Sequence, residues 1–321
     1  MLYINNELNM PIIYYYISGG ISFCFTYFLL YVYRLWFGRF LLDSPGGLKR
    51  HNGIIPLVGG CGLLSGIGIS VIFFMLVCHI SYKELNSIIG LLCGVCIMFI
   101  IGLVDDLKKP KGLSVSIKLL FQIISAICLF CNGFFFNIFQ SVHWNLLFSL
   151  LWMVGLINAF NLMDIIDGLC SSQAIVSSIS IFIIAISSES GCLNCMALAL
   201  GMACLGFIPH NFSNRHKCFL GDSGSYLIGY LVGALCLCIN YSESSFKTIC
   251  ISFLVVAIPI VDITFVIIVR MIQGKNPLTG SRDHIALKLK DAGWSLSKIL
   301  LYFTISSIIS NIIAFALFFI I

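Results

Sequence analysis

"FIIGLVDDLKKPKG", residues 99–112, ends a membrane-grade apolar run on two adjacent carboxylates, Asp105 and Asp106, with Lys108, Lys109 and Lys111 close behind. An apolar run of this kind asks for lipid as its solvent, and acids at its end mark where the chain leaves the bilayer. The rest of the chain repeats the pattern. Of 321 residues, 60% are hydrophobic and only 10% charged, more apolar surface than a soluble domain can hide. About ten runs approach the length needed to cross a hydrocarbon core of about 30 Å. They lie near 11–33, 57–80, 88–104, 117–134, 145–163, 172–187, 193–211, 224–240, 248–269 and 299–320. In lipid every backbone polar group must pair within its own segment, and these runs are too long and evenly apolar for barrel strands. The expected fold class is therefore all-α: a polytopic integral membrane protein with one membrane domain over residues 1–321. The first run is too long for a signal-peptide core and lacks a basic leader, so it reads as an anchor.

Charge sorting gives the orientation. Of 18 lysines and arginines, 16 fall in the alternate loops 34–56, 105–118, 212–223 and 270–298; only Lys83 and Lys247 lie elsewhere. The positive-inside rule places those loops, and the short 164–171 link, in the cytoplasm. All four glutamates fall on the opposite side, whereas all nine aspartates fall on or near the inner one. The inner face thus reads as the working face. The net charge of +5 follows from this sorting, and no basic stripe with interleaved aromatics suggests nucleic acid. Most of the 15 cysteines lie within apolar runs, where Cys behaves as a small hydrophobe, although Cys192 and Cys195 near the outer face are spaced to pair. Acids gathered at one face, with no internal repeat, do not fit a proton-coupled transporter, which needs them near the midplane.

The inner loops carry the chemistry. Adjacent helical residues point about 100° apart, so Asp105 and Asp106 cannot grip one ligand as a bidentate pair. Together with the lysines they suit a divalent cation and anionic substrates. In "INAFNLMDIIDGL" (157–169), Asn158, Asn161, Asp164 and Asp167 recur every third residue. Each such step drifts the stripe by about 60°, so neighbours share a face but all four do so only if the helix end unwinds, which Gly168 permits. In "CFLGDSGSYLIGY" (218–230), Asp222 lies between glycines ahead of an apolar helix. Gly221 and Gly224 allow close backbone approach, Ser223 and Ser225 can cap, and helix N-termini favour phosphate. Asp222 is the natural Mg²⁺ ligand, since that ion bridges one or two carboxylates and substrate phosphates. "GGLKRHNGIIPLVGG" (46–60) offers Lys49, Arg50 and His51, and "NPLTGSRDHIALKL" (276–289) offers Arg282, His284 and Lys288, for anionic substrates or as basic flanks. Asp262, in "AIPIVDITF" (257–265), reads equally as a functional acid or a helix-packing group.

Taken together and in order, "KRHNGIIPLVGG", "VDDLKK", "NAFNLMDIIDGL", "GDSGS", "IPIVD" and "RDH" resemble the bacterial polyprenyl-phosphate N-acetylhexosamine-1-phosphate transferases over roughly residues 40–300. The first motif is most similar to the N-acetylglucosaminyl branch. The resemblance implies transfer of a sugar 1-phosphate, N-acetylglucosamine 1-phosphate first, from a UDP-sugar to undecaprenyl phosphate with release of UMP. It implies Mg²⁺, or Mn²⁺ in its place, a site at the cytoplasmic side of the bacterial inner membrane, and initiation of a lipid-linked envelope glycan. It leaves a homodimer open. Residue by residue, it gives Asp105, Asp106, Asp164 and Asp167 catalytic roles and Asp222 the metal. Lys49, Arg50, His51, Lys109, Asn158, Asn161, Arg282 and His284 go to substrate binding. Two departures stand out. Ile165 occupies a position where the family commonly has glycine, so the local turn should differ. Ala286 and Leu287 replace later histidines, which bears on donor choice or turnover.

Overall fold

The computed structural model describes residues 12–43, 53–78, 82–186, 191–238, 245–275 and 283–320. Lys49, Arg50, His51 and Arg282 lie outside these residues. Twelve helices are described: α1 (Ile12–Trp36), α2 (Gly59–Val77), α3 (Tyr82–Leu107), α4 (Val115–Phe130), α5 (Val142–Met163), α6 (Leu169–Ala185), α7 (Gly191–Phe212), α8 (Gly221–Cys238), α9 (Ser245–Val255), α10 (Ala257–Ile272), α11 (Ile285–Asp291) and α12 (Leu296–Ile320). Strands β1 (Leu42–Asp43) and β2 (Ile55–Pro56) form one short antiparallel ladder. Each apolar run read from the sequence is helical over most of its described residues. Six helices are long and apolar enough to cross a membrane, or seven with α9 and α10 taken as one broken span; α4 and α6 are shorter.

The expected span 248–269 is not continuous: α9 and α10 meet at 77°. Pro259 gives the reason. It has no N–H to offer the carbonyl of Val255, and its ring would clash with that carbonyl in a straight helix. The freed carbonyls find side chains instead. Val255 accepts from Ser177 Oγ (2.9 Å) and Asn311 Nδ2 (3.3 Å), and Leu254 accepts from Ser310 Oγ (2.6 Å). A broken helix in an apolar setting persists only when such partners exist.

Helices α7 and α8 are the most enclosed, with nearly every residue of Leu193–Leu200 and Tyr226–Leu237 buried. α8 packs between α3 and α5. The loop before α8 is sewn to the start of α2 by backbone bonds from Gly59 to Phe219 (3.0 Å), Gly60 to Leu220 (3.0 Å) and Phe219 to Pro56 (2.8 Å). This packing brings the ends of α3 and α5 and the starts of α4 and α8 to one place. Cys192 and Cys195 are free thiols buried on α7, not a disulfide.

Candidate active site

Asp105 and Asp106 leave the last turn of α3 in different directions, as their adjacency requires. Asp105 turns toward α4: one oxygen accepts the Leu113 N–H and the other meets Lys118 Nζ at 2.6 Å. Asp106 turns toward α8. It accepts the N–H groups of Asp222 (2.9 Å) and Ser223 (3.0 Å), the Ser223 hydroxyl (2.8 Å), and Lys109 Nζ (2.8 Å). The start of α8, expected as a phosphate cradle, is therefore already capped by a carboxylate of this chain. Gly221 makes the approach possible. Its φ of +75° suits glycine, and a Cβ there would stand 2.5 Å from an Asp106 oxygen.

Asp222 closes the cluster. Its two oxygens lie 3.4 Å from Lys109 Nζ and 3.3 Å from Lys118 Nζ, longer than the contacts those lysines make with Asp106 and Asp105. The Asp222 side chain is 19% exposed, against 0% for Asp106 and 2% for Asp105. Asn161 on α5 reaches it, with Nδ2 at 3.4 Å from Asp222 and 2.9 Å from Ser225 Oγ. Burial alone would push the Asp222 carboxyl up. Its hydrogen bond with Asp105 and the charges of Lys109 and Lys118 outweigh that and hold it well below the usual carboxylate range. Burial would likewise lower Lys109, but Asp222 and Asp106 raise it above the usual lysine range.

The other expected residues divide. Asp164, the C-cap of α5, is driven well above the usual carboxylate range by burial; Lys109 opposes this, and Asp222, Asp106 and Asp167 add to it. Asp167 binds Lys217 Nζ at 2.5 Å. Gly168 takes φ +77° between them and α6, so this turn has its left-handed residue after the acids and Ile165 is spared that conformation. Asn158 is turned away from the acids: its Nδ2 bonds Gln122 Oε1 (2.8 Å) and Val154 O (2.7 Å), tying α5 to α4. His284 is buried against Asp262, Nδ1 to Oδ2 at 2.9 Å. Lys118 is the residue that sequence reasoning missed. Its signal was a lone charge just inside the apolar run 117–134, counted only among the charges of the inner loop 105–118.

Three carboxyl groups stand beside two ammonium groups where anionic substrates would have to enter. Among the described residues no group of three or more His, Cys, Asp or Glu forms a metal cage. One partly open carboxylate beside a second is the donor set that suits Mg²⁺, which keeps several waters and completes its shell with substrate phosphate. The residues present fit such an ion.

Residues 88–240 match the family model described as glycosyl transferase family 4. Over 285 residues the chain is 30% identical to a Bacillus subtilis (strain 168) protein named "Probable undecaprenyl-phosphate N-acetylglucosaminyl 1-phosphate transferase", covering 84% of this chain and 76% of that one. The chain belongs to glycosyl transferase family 4. It is also 27% identical over 277 residues to the Escherichia coli (strain K12) undecaprenyl-phosphate alpha-N-acetylglucosaminyl 1-phosphate transferase, covering 83% and 74% of the two chains. A Salmonella typhi protein of the same name is 28% identical over 279 residues, covering 84% and 74%. The family match spans α3 to α8 and so contains the whole acid–lysine cluster.

Proposed function

We propose that this protein transfers N-acetylglucosamine 1-phosphate from UDP-N-acetylglucosamine to undecaprenyl phosphate and releases UMP. The observation that carries the reading is the asymmetry of the cluster. Asp105 and Asp106 are buried and held by short bonds to Lys118 and Lys109, whereas Asp222 is partly open and meets both lysines only at longer distances. A lipid phosphate oxygen attacks the β-phosphorus of the donor, the bond from that phosphorus to the bridging oxygen breaks, and UMP leaves with that oxygen. A phosphomonoester has a second pKa of about 6, so the lipid phosphate is largely nucleophilic at neutral pH and needs orientation more than deprotonation. Catalysis of phosphoryl transfer is chiefly positioning and charge neutralisation.

The side chains divide that work. Asp106 fixes the start of α8 and the direction of Lys109. Asp105 holds Lys118. The two ammonium groups then exchange their long contacts with Asp222 for phosphate oxygens. Asp222, with Asp105 beside it, would hold Mg²⁺ or Mn²⁺, which supplies neutralisation of the donor diphosphate. Asn161 orients Asp222. Asp164 and Asp167 border the donor side, Asp167 under the control of Lys217. Asn158 joins α4 and α5 beneath the substrates. Lys49, Arg50, His51 and Arg282 contribute basic groups toward the phosphates, as the motif resemblance implies.

The same reading gives a chain that crosses the bacterial inner membrane about ten times, as the lengths of its apolar runs suggest, with the acids at the cytoplasmic face. Two substrates of unlike solubility meet only at such a boundary. Ala286 and Leu287 favour a second donor reading, an N-acetylated hexosamine other than N-acetylglucosamine. The test is UMP release by purified protein in detergent, with undecaprenyl phosphate, Mg²⁺ or Mn²⁺, and a panel of UDP-sugars. UMP that requires both lipid and metal supports the reading, and the best donor names the sugar. No UMP from any donor, with the fold intact and a relative active alongside, would replace it with a family member that binds lipid phosphate without turnover.

A further inference from the structure

Asp262 and His284 form a buried pair outside the acid–lysine cluster, each 1% exposed. They lie at the junction of α10 and α11. Asp262 Oδ2 meets His284 Nδ1 at 2.9 Å, and Asp262 Oδ1 accepts the Ile285 N–H at 3.1 Å. His284 is the N-cap of α11, and its own side chain makes no capping bond. Asp262 thus supplies, from another helix, the acceptor for the first N–H of α11. The other end of α11 closes with Trp294 N–H on Leu289 O (3.0 Å).

What α11 presses on gives the pair a purpose. Ala286 is wholly buried in an apolar cluster with Met163, Ile166, Leu169, Ile299 and Phe303, and Ile165 and Leu287 pack against it. In "MDIIDGL" the two isoleucines face this cluster while the acids face away, Asp167 toward Lys217 and Asp164 toward the field of Lys109 and Asp222. The departures at Ile165, Ala286 and Leu287 therefore meet in one place.

We propose that Asp262 and His284 are positioning residues: they seat α11 so that its apolar face braces the turn carrying Asp164 and Asp167. This rests on the proposed transferase reaction. It assigns the Nδ1 side of His284 to Asp262 and makes its influence on turnover indirect.

The chemistry of substitution separates this from direct substrate contact. Asparagine places an N–H near the position of Nδ1, whereas glutamine places one near Nε2. In UMP-release assays, His284→Ala is expected to lower kcat about 10- to 100-fold, the range typical of groups that orient a reacting set, with little change in donor KM. His284→Asn restores most of the loss and His284→Gln does not. Ala286→Leu, too large for its filled site, gives the same kcat defect without touching a titratable group. The opposite order, with His284→Gln active, His284→Asn inactive and donor KM raised, overturns the proposal. If the wild-type protein releases no UMP, the transferase reading fails separately. Hydrogen exchange at the backbone amides of Gly168, Leu169 and Ser172 then decides. Faster exchange in His284→Ala and His284→Gln but not in His284→Asn supports the brace; unchanged exchange in all three overturns it.

Discussion

The ends of α3 and α8 and the docking site of α11 both gather polar residues at helix termini, and they use them in opposite ways. At residues 105–118 and 222, three carboxylates and two lysines satisfy one another across three helices, and the least satisfied of them, Asp222, is the one left partly open. At residues 262 and 283–291, one buried carboxylate is spent wholly on a neighbouring histidine and a helix N–H, and apolar packing around Ala286 does the rest. A polar cluster with an unfilled member can accept a ligand. One whose members are all matched can only hold a shape.

That contrast can be broken by substitution. Asp222→Asn, which removes the open carboxylate but keeps its size, is expected to cut UMP release on the order of 10³-fold, the scale for losing one preorganised electrostatic group at a reaction centre. Its thermal unfolding midpoint in detergent should fall by less than that of Asp106→Ala. Asp106→Ala should do the reverse. It strips the start of α8 and Lys109 of a buried partner and is expected to cost about 3–5 kcal/mol of stability, seen as a lower unfolding midpoint. If Asp106→Ala unfolds like wild type while Asp222→Asn collapses, the division of labour is wrong.

A smaller effect separates the two lysine contacts. Lys118→Met should reduce turnover about 10- to 100-fold and lower the metal concentration needed for half activity, because Asp105 and Asp222 then face the cation with one competing positive charge fewer. The acidity of the cluster sharpens the same point. Asp222 titrates below the usual carboxylate range, so its contribution to stability is complete above about pH 4 and is lost as pH falls through its folded-state value. Lys109 titrates above the usual lysine range, so its contribution is complete below about pH 10 and is lost as pH rises further. The acid limb of a stability–pH profile should therefore shrink in Asp222→Asn, because its neutral plateau drops toward the acid level. The smallest effect belongs to the α11 side. Leu287→His, at a half-buried position, should cost about 1 kcal/mol of stability and shift the ranking of UDP-sugar donors more than it lowers turnover.

The parts legible in the sequence were those set by local rules. Apolar run length gave every long helix, and the 100° step between adjacent helical residues gave the divergence of Asp105 and Asp106. Asp222 and Asn161 were marked by their place at helix ends, and the structure joins them. The stripe of four in 157–169 divided as its angular drift required, with Asn158 leaving for Gln122. What the sequence did not reveal depends on long-range packing. Asp106 caps a helix 116 residues away, and Lys118 meets Asp222 across 104 residues. No periodicity encodes such meetings. The break at Pro259 was visible as a proline, but not the side chains of Ser177 and Asn311 that make it tolerable. Asp262 was balanced between two readings until His284 was seen beside it.

The central claim is that the cluster at Asp105, Asp106 and Asp222 carries transfer of the donor's β-phosphate to a lipid phosphate. It is tested most directly by following the label from UDP-N-acetylglucosamine carrying ³²P in either the β or the α position. With undecaprenyl phosphate and Mg²⁺, the account requires β-label to pass into the lipid phase, α-label to remain in UMP, and both movements to vanish in Asp222→Asn. α-Label in the lipid, or UMP formed without any labelled lipid, would contradict it.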